Sequence, residues 1–171
     1  RQLWSDGLPV APPTRERVEA FLQFTDRDPD EVIRVVPQEG REATVRAIAV
    51  NAVMAGAKPE YFPVILALAA SGVSARGSTT SSSAAMVVVN GPIRHELKMN
   101  SGIGAMGPYN HANATIGRAY GLLSQNLQGG SEPGVSFMGS QGNSYTYNNV
   151  TFAENEERSP WEPLHVQKGF K

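Results

Sequence analysis

The chain reads as an α/β domain, a small sheet with helices packed against it, preceded by an extended arm. Three observations predict this. Val32–Val36 and Met86–Val89 are short runs of β-branched or wholly apolar residues, and Tyr145–Phe152 alternates, so all three have strand character. Between them lie segments whose apolar residues recur at helical spacing, and interleaved strands and helices are the α/β pattern. A length of 171 residues is that of one ordinary domain, long enough to bury a core without cross-links. The strands are few, so the sheet is either small or completed by a partner chain. Residues 1–13 form the arm and 14–171 a single domain.

In the arm, Trp4, Leu8 and Val10 are apolar, and Pro9, Pro12 and Pro13 forbid a helix. An exposed Trp is unfavourable, so the arm is expected to lie against something. Thr14 has the chemistry of an N-cap, and Val18, Phe21 and Leu22 follow on one face, which predicts a helix to about Phe24. Asp28-Pro29-Asp30 is a turn before the Val32–Val36 strand. Arg41–Ala55 predicts an amphipathic helix with Val45, Ile48, Ala49, Ala52 and Val53 on its inner face and Gly56 as its stop. Pro59 opens a second helix to about Ala70, apolar nearly all round and expected to be buried. Ser71–Ala85 reads as a loop of small polar residues. Met86–Val89 has the composition of a central strand buried on both faces, ended by Asn90-Gly91-Pro92. A glycine-rich loop, Ser101–Pro108, leads to a long helix from Asn110 to Leu127, closed by Gly129-Gly130. Residues 131–143 are a turn-rich loop, and Ala153–Lys171 is mostly irregular around Pro160 and Pro163.

Composition excludes several classes. The 15 basic and 16 acidic residues give a formal charge of −1, without the basic excess that binding nucleic acid needs. The longest apolar run, Tyr61–Ala70, is far short of the ~20 residues that span a bilayer, so no membrane association and a cytoplasmic location are expected. The absence of cysteine removes disulfides, thiolate catalysis and Cys-bound zinc from this chain. The first residue is Arg1, so the sequence starts after processing, after omitted residues or inside a longer protein.

Gly102-Ile103-Gly104-Ala105-Met106-Gly107 has the G-x-G-x-x-G spacing and precedes a helix. It lacks the rest of a dinucleotide site: the preceding strand ends well before it, Pro108 follows it, and no acidic residue stands ~20 positions on. The milder reading is that Gly102 and Gly104 let the backbone approach a ligand or a neighbouring subunit. Asn90, Asn100, Asn110 and Asn113 cluster around the same strand and helix ends. Singly each is a turn or cap residue; together, with Arg118 farther along the helix, they form a candidate polar pocket. The sequons at Asn113 and Asn149 are set aside, since the first lies on a buried helix and nothing indicates secretion. None of His95, His111 and His165 has metal-ligand spacing, but His111, beside the glycine loop, is a candidate acid or base. Glu154-Asn155-Glu156-Glu157, followed by Ser159, Trp161 and His165, is the most suggestive cluster. In an extended chain Glu154 and Glu156 share a side and Glu157 points away; paired carboxylates supply an acid–base pair or a hard-metal site, while a solvated acidic turn is the plain alternative. Glu60 suits the start of its helix electrostatically, with a catalytic role as the alternative.

Five blocks carry a family resemblance: WSDGLPV with Pro12-Pro13-Thr14 in the arm, NAVMAGAKPEYFP from Asn51, Val89-Asn90-Gly91-Pro92-Ile93, NHANATIGR from Asn110, and AENEERSPWEPLHVQKG from Ala153. In order and extent they resemble a bacterial family encoded beside, or fused to, UGSC-type (seleno)proteins. The resemblance spans nearly the whole chain. It implies a second polypeptide as partner, one that carries a Sec/Cys-Gly-Ser-Cys motif on a racemase-like α/β scaffold and performs redox or nucleophilic chemistry. Members of the family often carry Cys where this chain has Ala57, and some where it has Ser101, so support for a thiol role in this half is missing. Ser71–Ala85 is also shorter and simpler than its counterpart in the family.

The expectation is therefore a subunit of a hetero-oligomeric enzyme acting on a small polar or carboxylate-bearing molecule by lyase- or hydrolase-type acid–base chemistry. Glu156 or Glu157 would move a proton, with His111 or His165 as the second group. Asn90, Asn100, Gly102, Gly104, Asn113 and Arg118 would bind the substrate. No metal ligand and no particular cofactor is indicated. The alternatives are a non-catalytic structural or regulatory subunit, and a redox subunit with metal on the glutamates and His165. All depend on the glycine loop and the acidic turn meeting in space.

Overall fold

The computed structural model describes residues 4–36, 41–72, 86–128 and 150–170. Helices and strands mix, as an α/β chain requires, but the strands form two separate pairs instead of one small sheet. Helix α1, Arg15–Leu22, starts where Thr14 Oγ1 accepts the Arg17 amide. After the Asp28–Glu31 turn, strand β1, Val32–Val36, pairs antiparallel with β2, Arg41–Thr44. The Arg41–Ala55 helix is thus corrected at its start. The first four residues join the ladder, and the helix α2, Val45–Met54, begins at Thr44, whose Oγ1 accepts the Ala47 amide. The apolar periodicity had itself begun only at Val45. Gly56, at φ +78°, takes the left-handed position after the helix.

Pro59–Tyr61 makes a short 3-10 turn into α3, Phe62–Ala70. This helix buries Phe62, Ile65, Leu66 and Ala69, while Pro63, Ala67 and Ala70 are exposed, so it is one-sided where burial all round was expected. Helix α5, His111–Gln128, packs on α2, which also contacts α1 and α3. The core lies between these four helices, with Ile48, Phe62, Ile65, Ile116 and Leu122 fully enclosed. Phe21 meets Phe62 edge-on, ring centroids 5.8 Å apart.

Strand β3, Met86–Val89, pairs in parallel with β4, Val150–Ala153, and α5 packs against β4. Val88 lies opposite Phe152 and Val89 opposite Ala153. The expectation that β3 is buried on both faces is wrong: Met86 is 63% and Val88 39% exposed. One face is covered, and the other is left open at Met86 and Val88 among the described residues, whatever the apolar composition suggested. Two short helices complete the chain, α4, Ile93–Glu96, and α6, Leu164–Gln167. Of the sequence expectations, the Gly129-Gly130 closure, the 131–143 loop, residues 145–149 and most of the Ser71–Ala85 loop lie outside the described residues.

The arm runs along α5. Arg118 donates Nε and one terminal nitrogen to the two Asp6 carboxylate oxygens at 2.9 and 3.0 Å, and to the Pro9 carbonyl at 2.8 Å. Gln125 and Asn126 donate to the Ser5 and Trp4 carbonyls, and the Ala11 amide to the Met54 carbonyl. The arm is held by polar bonds, and Trp4 remains 60% exposed within this chain. No helix among the described residues is long and apolar enough to cross a membrane.

Candidate functional site

The glycine loop meets the end of β4, but none of the three glutamates of the acidic turn lines their shared hollow. Gly102, Gly104, Met106 and Tyr109 from the loop, and Phe152 and Asn155 from the end of β4, line one open concavity of about 550 Å³. Backbone bonds tie the two walls, with the Ala153 amide donating to the Asn100 carbonyl and the Glu154 amide to the Val89 carbonyl.

The loop is shaped from within. Asn110 caps α5: its Oδ1 accepts the Asn113 amide and its Nδ2 donates to the Lys98 carbonyl. Asn113, only 2% exposed, accepts the Asn100 amide at 3.1 Å and donates to the carbonyls of Asn100 at 2.9 Å and Ala105 at 3.0 Å. Asn100 in turn accepts the Gly102 amide and donates to the Ile103 carbonyl. Asn100 and Asn113 therefore bond to the loop itself. Gly104 sits at φ +78°, and the Tyr109 ring lies so close to Gly107 that a β-carbon there would stand 2.8 Å from it. The glycines serve this close approach of an aromatic ring, a local reason for their spacing. Arg118 binds the arm with two of its side-chain nitrogens, and the third reaches the Ala55 carbonyl at the end of α2 at 3.5 Å. His111 is exposed at the start of α5, 5.8 Å from the Tyr61 ring, and lines neither concavity described here.

The acidic turn is organised by a residue that sequence reasoning missed. Arg94, on α4 and 5% exposed, donates to Glu156 at 2.9 Å and to both Glu157 oxygens at 2.6 and 3.1 Å. The expectation that Glu157 points away from its neighbours fails because residues 156–158 form a turn instead of an extended stretch, which brings both carboxylates to one guanidinium. Glu154 stands apart and accepts the Leu164 amide at the start of α6. Glu156 also accepts the Gly91 amide at 2.8 Å. Burial opposes its ionisation, but the Gly91 amide and Arg94 outweigh that and hold its pKa below the ordinary value. Hydrogen bonds from Arg94 lower Glu157 to about 2. Both groups are fixed as anions at neutral pH. No signal within either segment links Arg94 to glutamates more than sixty positions later.

His165 completes the arrangement. Its side chain is largely buried, and its Nδ1, buried and without a hydrogen-bond partner, lies 3.7 Å from Glu156 Oε1. The imidazole sits against Gly91, which has φ +86°. With Asn90, Gly91, Ile93, Lys168 and Phe170 it lines a second open concavity of about 480 Å³. Of the residues singled out from the sequence, Asn90, Glu156, Glu157 and His165 are thus brought together. Gly102 and Gly104 line the neighbouring hollow, Asn100 and Asn113 brace the loop, and Arg118 and His111 stand elsewhere. His95 stands 3.1 Å from Glu157 Oε1, the oxygen that Arg94 also binds. No group of three His, Asp or Glu among the described residues is placed to hold a metal ion. Comparison with family models, curated proteins and solved structures found no match to this chain.

Proposed function

We propose that the chain is a subunit of a hetero-oligomeric enzyme that acts on a small polar or carboxylate-bearing molecule by acid–base chemistry of the lyase or hydrolase type. The substrate would occupy the concavity between the Asn90–Ile93 turn and the C-terminal segment. The observation that carries this reading is His165, an imidazole that faces an ionised Glu156 and opens onto a hollow containing Lys168. Glu156, anchored by Arg94 and the Gly91 amide, keeps its charge and faces Nδ1 across 3.7 Å, a gap that would have to close on substrate binding for the carboxylate to orient the ring. That leaves the second ring nitrogen to exchange a proton with substrate. Lys168 supplies the charge for a substrate carboxylate, and Asn90 a neutral polar partner. Glu156 and Glu157 hold the machinery in place, and His165 takes the proton-moving role. The partner implied by the family resemblance, a UGSC-type protein, would close the open side of this hollow.

In the assembled complex, His165→Gln is expected to lower turnover by about 10²-fold or more, the usual loss of a general acid–base group. Lys168→Ala is expected to raise KM for a carboxylate substrate with little change in kcat. Binding of malonate, succinate and malate as probes, followed by NMR of the His165 ring, locates the site without an assay. Unchanged turnover in both variants, with no probe shifting His165, would leave the second reading, a non-catalytic structural subunit. That reading is favoured by the way Asn100 and Asn113 bond to the loop itself.

A further inference from the structure

The hollow around His165 has a lining of two kinds. Lys168 supplies a cation, which has no ion-pair partner among the described residues. No aspartate or glutamate lines the hollow, and the rest of its wall is largely apolar, built from Pro92, Ile93, Leu164 and Phe170. At about 480 Å³ the space falls within the ~300–1,000 Å³ that small-molecule sites occupy. Glu156 stands behind the imidazole, 3.7 Å from Nδ1.

Phe170 is held at the hollow by its backbone. Gly169 takes φ +79°, and the chain folds back on α6: the Gly169 amide donates to the Val166 carbonyl at 2.9 Å and the Phe170 amide to the His165 carbonyl at 2.8 Å. These two bonds make a Schellman motif, which fixes the residue after the glycine against the last turn of the helix. The same turn carries His165 and Lys168. Yet Phe170 is 70% and Leu164 46% exposed. An aromatic side chain is thus fixed in place beside a cation and an imidazole without being buried in the core.

We infer that the ligand of this hollow is an amphipathic monocarboxylic acid, one carboxylate joined to an aryl or branched alkyl body, and not a dicarboxylate. The inference rests on the reading of the hollow as a substrate site and narrows it. One cation supports one carboxylate. A second carboxylate would lie against Ile93, Leu164 or Phe170, where an unpaired charge loses its water without compensation, or close to Glu156, whose own charge repels it. An apolar body in the same place covers Leu164 and Phe170 and removes both surfaces from water.

The test is a matched set of α-hydroxy acids that differ only in what the methyl carbon of lactate carries: nothing further in lactate itself, a carboxylate in malate, a phenyl ring in phenyllactate. Each is titrated into the full chain while the ring signals of His165 are followed by NMR. Phenyllactate is expected to bind at least about tenfold more tightly than lactate or malate. Phe170→Ala, at an exposed side chain, should bring phenyllactate down to the affinity of lactate and leave lactate and malate unchanged. Lys168→Ala should weaken all three. Malate binding as tightly as phenyllactate, or a phenyllactate affinity indifferent to Phe170→Ala, overturns the inference and leaves the hollow as a carboxylate site. If none of the three moves the His165 signals, the reading of the hollow as a substrate site falls, and the inference with it.

Discussion

Replacing Arg94 by Met isolates what the guanidinium contributes to the β3–β4 end of the molecule. The side chains of Arg94 and Glu156 are 6% and 12% exposed, and three charge-assisted bonds to two glutamates converge on this one group. Met fills a similar volume but leaves Glu156 as a buried anion with only the Gly91 amide and His165 near it. Breaking a buried pair by removing one partner costs about 3–5 kcal/mol, which for a chain of this length lowers Tm on the order of 10 °C. Urea denaturation at pH 7 measures it. The pH dependence supplies a second reading with a definite sign. Both glutamates have folded pKa values below the ordinary 4.5, so their contribution is fully present above 4.5 and is lost as pH falls toward the folded value, about 2 for Glu157. The gap between wild type and Arg94→Met should therefore narrow steadily below pH 4.5. Adding Glu156→Gln to Arg94→Met should restore about 1–2 kcal/mol, because the amide oxygen keeps the Gly91 bond without a charge. A cost under about 1 kcal/mol at pH 7, or a gap that does not change with pH, would refute the view that Arg94 and Glu156 form a buried pair to which the exposed Glu157 is coupled.

Asn113→Ala removes three buried hydrogen bonds and strands their partners on Asn100 and Ala105, so a loss of about 2–4 kcal/mol in urea denaturation is expected. Lys98 is the one non-glycine residue with positive φ among those described, at 54°, in the position after α4, and Lys98→Gly should raise stability by about 0.5–1 kcal/mol. Gly104→Ala should cost about 1–2 kcal/mol through its φ of +78°. Gly107→Ala, by contrast, should displace the exposed Tyr109 ring, read as altered tyrosine shifts in NMR. Arg118→Met should release the arm, visible as rapid protease cleavage before Thr14 while the helical core keeps its circular dichroism.

The parts of the fold that were legible in the sequence are those governed by neighbours along the chain. Thr14, Gly56 and Asn110 are recognisable because capping and helix stops are decided within a turn of the residue itself, and each stands in that role. Arg41–Thr44 misleads because four polar and small residues before an apolar helix look like its first turn, whereas their state is decided by pairing with Val32–Val36. Met86–Val89 declares a strand but not its surroundings, since apolar composition reports what a face can bury and not whether anything covers it. At the site, the glycine loop was expected to share a cavity with the acidic turn, but it shares one only with Phe152, Ala153 and Asn155, while Glu156 and Glu157 turn to Arg94. The internal bonding of Asn100 and Asn113, and the commitment of Glu156 and Glu157 to Arg94, depend on directions of side chains that spacing does not carry.

The clasp between Arg118 and Asp6 joins residues 112 positions apart, and Gln125 reaches back 120 positions to Ser5. The arm thus cannot settle until the last turns of a helix made more than a hundred residues later have emerged. Contacts of such long sequence separation slow folding, and until α5 is made the arm, with its bare tryptophan, waits in solvent as an adhesive thread. Any shortened product ending before Arg118 would keep that thread permanently loose, so truncation late in the chain should be felt first at its beginning.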